Sequence, residues 1–238
     1  EGRILVDQIP EDIDFVHFNS TSPNMEKLSK PYLVTLHGNA SFGEKLDINT
    51  VFVSKNHAER YGSESFVHNG LDWDDYSNPD FNKPRNAFHF LGNAAWRVKN
   101  VKGAIDVVKA TKAEKLMVLG GTRLNLSMGF RFTASPRIKF YGMVGGTKKD
   151  ALLNSSKGLI FPVLWNEPFG LAITESLFYG APVFGTPYGS LPEIVNSEVG
   201  FLSNEKAALT KAISSVDEYS RKHCHEYAVE QFNSKKMA

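Results

Sequence analysis

The chain has 238 residues, with 27 Lys and Arg against 26 Asp and Glu, 42% hydrophobic and 22% charged residues, and one cysteine, Cys224. This balance excludes disordered and fibrous classes, and a net charge of +1 provides no global field drawing the chain to nucleic acid or anionic lipid, which leaves room only for a local basic patch. A lone cysteine excludes an internal disulfide framework or a multi-cysteine zinc site, and fits a reducing, cytoplasmic compartment.

At about 150 residues per domain the length falls between one domain and two. The segment Ile4–Asp14 is broken by polar residues, so no signal peptide is expected there, and no apolar run approaches a membrane span. Strands are expected at Asp14–Phe18, Tyr32–Leu36, Thr50–Val53 and Ser65–Val67, with a short helix at Asn56–Tyr61. Gly70–Arg85 is rich in Asp, Asn and Pro and reads as a linker.

The second part alternates more regularly. Strands are expected at Phe88–Leu91, Lys115–Leu119, Arg137–Tyr141, Gly158–Val163 and Pro182–Gly185. Val101, Ala104, Ile105 and Val108 have the i, i+3, i+4, i+7 spacing of a helix face. Further helices are expected at Lys148–Ser155, Phe169–Tyr179 (closed by Gly180), Leu191–Val195, Lys206–Val216 and Glu218–Phe232. Such alternation predicts an α/β fold with a parallel sheet covered on both faces, whose ligands bind beyond the carboxyl ends of the strands.

The segment Asn166–Val195, NEPFGLAITESLFYGAPVFGTPYGSLPEIV, concentrates the chemistry. Glu167 precedes an expected helix start, with Pro168 suited to the first helical position, and Glu175 follows eight residues later. Free amides around Phe169, Gly170 and Leu171 would make an anion site at the ligand edge of the sheet. Two carboxylates beside such a helix end suit a ligand carrying both hydroxyls and phosphate. Either glutamate alone reads more simply as a helix-dipole partner or a solvated residue.

The pattern E-P-F-G-L-x-x-x-E, followed by S-L-x-x-G-x-P-V and G-S-x-P-E-I-V, resembles the signature of retaining GT-B glycosyltransferases, and more narrowly glycosyltransferase group 1 (family 4). The resemblance implies a GT-B-like fold. A reduced or truncated acceptor-side domain would occupy 1–70, a linker 71–85 and a doubly wound nucleotide-sugar domain 86–216. A terminal helix at 217–238 would pack back toward the first domain. It implies transfer of a sugar from a UDP- or GDP-sugar to an acceptor hydroxyl with retention, with no cofactor and no metal.

Residue by residue, the resemblance places Glu167 on the donor sugar and Glu175 on the ribose, with backbone at Gly170 and Leu171 on sugar or diphosphate. In FLGNAAWRVKNVKG the family's usual Arg after Gly92 is replaced by Asn93. Lys99 best matches the family's lysine, Lys102 is its neighbour, and Arg97 is expected to supply the missing guanidinium from a shifted position. His37, in YLVTLHGN, matches a histidine facing the donor sugar. Gly142, Met143 and Val144, in YGMVGG, match a loop holding the base, and Ser54, Asn69 and Gly70 match recurrent family positions.

Competing readings are weaker. A Walker P-loop from Gly142 would need glycine at Thr147, and no G-x-G-x-x-G follows a strand. His223-Cys224-His225 lies in a helical pattern, where i and i+2 side chains diverge, so a solvated helix is expected there and not a metal site. Trp73, Trp96 and Trp165 are open between packing and sugar stacking. The implied partners are a small-molecule nucleotide sugar and a glycan, lipid-linked or small-molecule acceptor. Nucleic acid is not among them, and peripheral membrane association is left open. Alternatives are a nucleotide-sugar-binding module without turnover, a sugar-nucleotide epimerase or a glycan phosphorylase.

Overall fold

The computed structural model describes residues 8–21, 25–126 and 128–238, so residues 4–7 of the Ile4–Asp14 segment lie outside the described residues. The chain divides after His68 into two compact units. The first is built on three parallel strands, β1 (Val16–Phe18), β2 (Tyr32–Leu36) and β3 (Thr50–Phe52), in that spatial order. Phe18, Met25 and Val34 form its core. Helix α1 (Lys55–Arg60) follows β3, and the buried Ser54 hydroxyl accepts from the His57 amide as its N-cap. Ser54 therefore has a structural task. The strand expected at Ser65–Val67 is reduced to a single parallel bridge between Phe66 and Phe52, because the segment is too short to extend the ladder.

The second unit begins at β4 (Ala87–Leu91) and continues with α2 (Val101–Ala110) and β5 (Leu116–Leu119). A two-stranded ribbon of β6 (Leu124–Asn125) and β7 (Arg131–Phe132) precedes β8 (Ile138–Phe140). Then come α3 (Gly146–Asn154), β9 (Ser156–Phe161), α4 (Leu171–Phe178), β10 (Val183–Gly185), α5 (Leu191–Ile194) and β11 (Gly200–Leu202). Helices α6 (Lys206–Ser214), α7 (Arg221–Gln231) and α8 (Ser234–Met237) complete it. The sheet order is β11-β10-β9-β4-β5-β8, and every pairing is parallel.

This order fixes where a ligand edge must lie. From β4 the chain winds through β5 to β8 on one side, then returns through β9, β10 and β11 on the other. The winding reverses between β4 and β9, so the loops leaving those two strands diverge to opposite faces and open a crevice. The strands are near-continuous apolar runs because both faces are covered: Phe88, Phe90, Leu116, Val118, Ile160 and Phe184 pack with α2 and α6.

The stretch 71–85, expected as a linker, is packed within the second unit. Trp73 stacks on Phe178 with centroids 4.4 Å apart, Ser77 donates twice to Asp150, and the Asp80 amide donates to Asn154. The buried Arg85 guanidinium donates to the carbonyls of Ser156, Tyr179 and Gly180, tying the end of α4 to the start of β9. Helix α7 packs on α4 and buries Cys224 and Ala228, so it is a packed element with one wet face, unlike the solvated helix expected from its sequence.

Candidate active site

Glu167 and Lys99 meet across the switch point. Glu167 lies in the loop after β9 and Lys99 in the turn after β4. The Lys99 ammonium donates to Glu167 Oε1 at 2.9 Å and Oε2 at 2.7 Å, and both side chains are largely buried. The two loops are held together by backbone as well: the Leu164 amide donates to the Val98 carbonyl, and the Asn100 side chain donates to the Pro162 carbonyl. Trp165 completes the cluster. Its indole N–H donates to Glu167 Oε2 at 2.7 Å, and its ring lies under the Lys99 ammonium at 4.7 Å.

Glu175 is the second buried carboxylate, one helical turn and more into α4. It accepts from the Tyr76 hydroxyl at 2.8 Å and pairs with the Lys149 ammonium from α3. Both bonds fall on Oε1, so Oε2 keeps its acceptor capacity. Burial first, then the neighbouring Glu175 charge, raises the Tyr76 phenol well above its ordinary value, so it stays protonated as a donor.

Helix α4 starts at Leu171, two residues after the expected start at Phe169, so Pro168 is not its first residue. Gly170 is the N-cap, at φ +90°, and no side chain caps the helix, so the orphan donors of its first turn are not taken by a capping side chain. The loop after β10 braces the approach to α4: the Ser190 amide donates to the Glu167 carbonyl and the Ser190 hydroxyl to that of Phe169. Gly189, at φ +64°, lies so close to Glu167 that a Cβ would fall 2.3 Å from its backbone.

Lys99, Glu167, Gly170, Leu171 and Glu175 thus share one edge of the second unit. The other expected residues have partners or positions of their own. Arg97 is exposed and its Nε donates to the Met128 carbonyl at 2.9 Å. Lys102 pairs with Asp106 on the exposed face of α2. Asn93 accepts from the Ala95 amide in a tight turn. Gly142, Met143 and Val144 form the loop between β8 and α3, with Met143 largely exposed. His37 follows β2 in the first unit, its Nε2 3.4 Å from Asn19 Oδ1. Tyr76 and Lys149 were missed as site residues, and Trp165 stood open between packing and sugar stacking. Trp165 had a signal in its place two residues before Glu167. Tyr76 had none, lying in a segment without periodicity and 99 residues from its partner.

Among the described residues no group of three or more His, Cys, Asp or Glu is arranged to hold a metal ion. His223 and His225 diverge to Glu198 and to the Phe178 carbonyl.

Two α/β units, the second doubly wound with paired glutamates at its switch point, define a protein of the GT-B glycosyltransferase type. The family model for glycosyl transferases group 1 matches residues 85–217, and the chain belongs to that family. The fold is similar to that of AviGT4, a glycosyltransferase involved in avilamycin A biosynthesis, with a TM-score of 0.74 at 18% identity over 93% of this chain and 70% of that one. It is similar to sucrose-phosphate synthase from Thermosynechococcus elongatus, with a TM-score of 0.73 at 17% identity over 94% and 71%. It is also similar to HepE of Anabaena in complex with UDP-glucose, with a TM-score of 0.68 at 16% identity over 92% and 75%. No curated protein matches the chain by sequence.

Proposed function

We propose that the protein is a retaining, metal-independent glycosyltransferase that moves a hexose from a nucleotide sugar to an acceptor hydroxyl. The observation that carries the reading is the pair of buried, lysine-bound glutamates, Glu167 and Glu175, on one strand–loop–helix segment at the switch point of the sheet. Glu175 Oε2 is an open acceptor suited to a ribose hydroxyl. Glu167, oriented by Lys99 and Trp165, accepts from sugar hydroxyls. Lys99 spends two of its three donors on Glu167 and offers the third to the leaving diphosphate, aided by the first-turn amides of α4. The loop Gly142–Val144 faces the base in this reading. Retention requires departure and attack on the same face of the sugar, through an oxocarbenium-like transition state.

HepE is described with UDP-glucose, so UDP-glucose is the first donor to test, followed by other UDP- and GDP-sugars. Nucleotide release and transfer to glycan acceptors are measured, with the anomeric configuration of the product read by NMR. Absence of nucleotide binding across the donor panel would sink the proposal, and an inverted product would sink its retaining part.

A second reading, a nucleotide-sugar-binding module without turnover, is favoured by one observation. Asn93 is turned onto Ala95 and Arg97 onto Met128, which leaves the diphosphate side with one fewer fixed cation than the family pattern implies. Tight donor binding by calorimetry without transfer or hydrolysis would select it.

A further inference from the structure

The ribbon between β5 and β8 carries exposed apolar side chains. Leu124, Leu126, Met128, Phe130 and Phe132 recur at every second residue, the period of a strand with one buried face. Leu124 stands opposite Phe132 in the β6–β7 register. Yet all five are exposed, Leu126 at 70% and Phe130 at 77%. Contiguous exposed apolar surface of this kind marks an interaction site.

The ribbon is braced. The Arg123 guanidinium donates to the carbonyls of Thr133, Ser135 and Ile138, and Arg131 donates to that of Thr122. Arg97 holds the tip through the Met128 carbonyl. The apolar side chains are therefore displayed on a fixed support.

Charge selects the occupant. Residues 97–139 carry ten Lys and Arg against two acids, Asp106 and Glu114, in a chain whose net charge is only +1. Both acids are already paired, with Lys102 and Lys157. Arg97, Lys109 and Arg131, with the Lys102–Asp106 pair, line a cleft of about 590 Å³ together with Phe130 and Phe132. Apolar side chains beside Arg97, Lys109 and Arg131 match an anionic lipid surface, where the former enter the acyl boundary and the latter meet phosphates. A second copy of the chain is a poor match, because a symmetric contact would set this basic segment against itself.

We propose that the Leu124–Phe132 ribbon docks the protein onto anionic phospholipid membranes. The test is sedimentation of the full chain with phosphatidylcholine vesicles, with and without phosphatidylserine, a readout independent of donor binding or transfer. Binding is expected only to the mixed vesicles, weakening with added salt. Phe130→Ser with Phe132→Ser should weaken it at least about tenfold. Lys109→Glu should weaken it about fivefold or more. Circular dichroism checks folding, and Leu126→Ser serves if the double variant does not fold. No binding to mixed vesicles at low salt, or binding indifferent to both kinds of variant, overturns the proposal. So does a dimer in light scattering that the ribbon variants dissolve while vesicles go unbound, which would assign the face to a second copy.

Discussion

Lys99 and Glu167 stand 68 residues apart in sequence, yet one ammonium binds both oxygens of one buried carboxylate, at 2.9 and 2.7 Å. The sheet's change of winding direction brings them together, since their loops leave adjacent strands on either side of it. Breaking a buried pair by removing one partner leaves an uncompensated charge, whereas neutralising both does not. Lys99→Met alone should therefore destabilise the protein by about 3–5 kcal/mol, and the double variant Lys99→Met with Glu167→Gln should recover much of that. Transfer activity should be lost in both. Urea unfolding beside turnover separates the two effects, and recovery of activity along with stability would show that the pair is purely structural.

Trp165→Phe tests the orientation of Glu167 without touching charge. It removes the indole donor to Oε2 and keeps an aromatic ring beside Lys99. If Glu167 acts in the transition state, kcat should fall about tenfold with KM little changed. A rise in KM alone would move Glu167 to ground-state binding.

Tyr76→Phe removes one of the two groups holding Glu175. If Glu175 holds the ribose, the variant should raise the donor KM several-fold with kcat nearly unchanged, because uniform binding is lost. Equal loss in kcat would place Glu175 in the chemical step. Isothermal titration with UDP provides the matching check.

Much of the second unit was legible because its strands are short apolar runs between turn residues, and its helices repeat at 3.6. The strand Leu116–Leu119 forms within the expected Lys115–Leu119, and Gly180 closes α4 at φ +67°. The misses have physical causes. β11 is three residues long and takes its place only by pairing with β10. The 71–85 stretch lacks apolar periodicity because it binds through single anchors, Trp73 on Phe178 and Tyr76 on Glu175. Glu167 and Glu175 stood out from spacing within one segment and from the family resemblance. Their lysines split: Lys99 lay in a recognisable motif, whereas Lys149 reaches Glu175 only through the packing of α3 beside α4.

Gly170 lies where left-handed backbone meets the site. At φ +90° a side chain is strained, and a Cβ would approach Ile173 Cδ1 at 3.0 Å and Glu167 Cγ at 3.3 Å. Gly170→Ala should cost about 1–3 kcal/mol in stability and displace Glu167. Donor affinity should fall with it. A variant that loses stability but binds UDP unchanged would show that the start of α4 does not touch the nucleotide.

His89 on β4 predicts how the fold responds to acid. It is fully buried, with Nδ1 2.6 Å from the Ser156 hydroxyl, and burial, with a smaller contribution from Arg85, lowers its pKa from 6.5 to about 3. The unfolded chain takes up this proton near pH 6.5, and the folded chain refuses it until about pH 3. Stability contributed by the neutral ring is complete above pH 6.5 and declines as pH falls through that window, by about 1.4 kcal/mol per unit. Between pH 6.5 and 5 the loss should be about 2 kcal/mol. His89→Leu keeps an apolar side chain in the sheet and has no proton to take up. Its urea-unfolding free energy should lose this slope between pH 6.5 and 5, whatever its absolute stability. An unchanged slope would mean that His89 accepts its proton in the folded state, and that the acid sensitivity of the fold arises elsewhere.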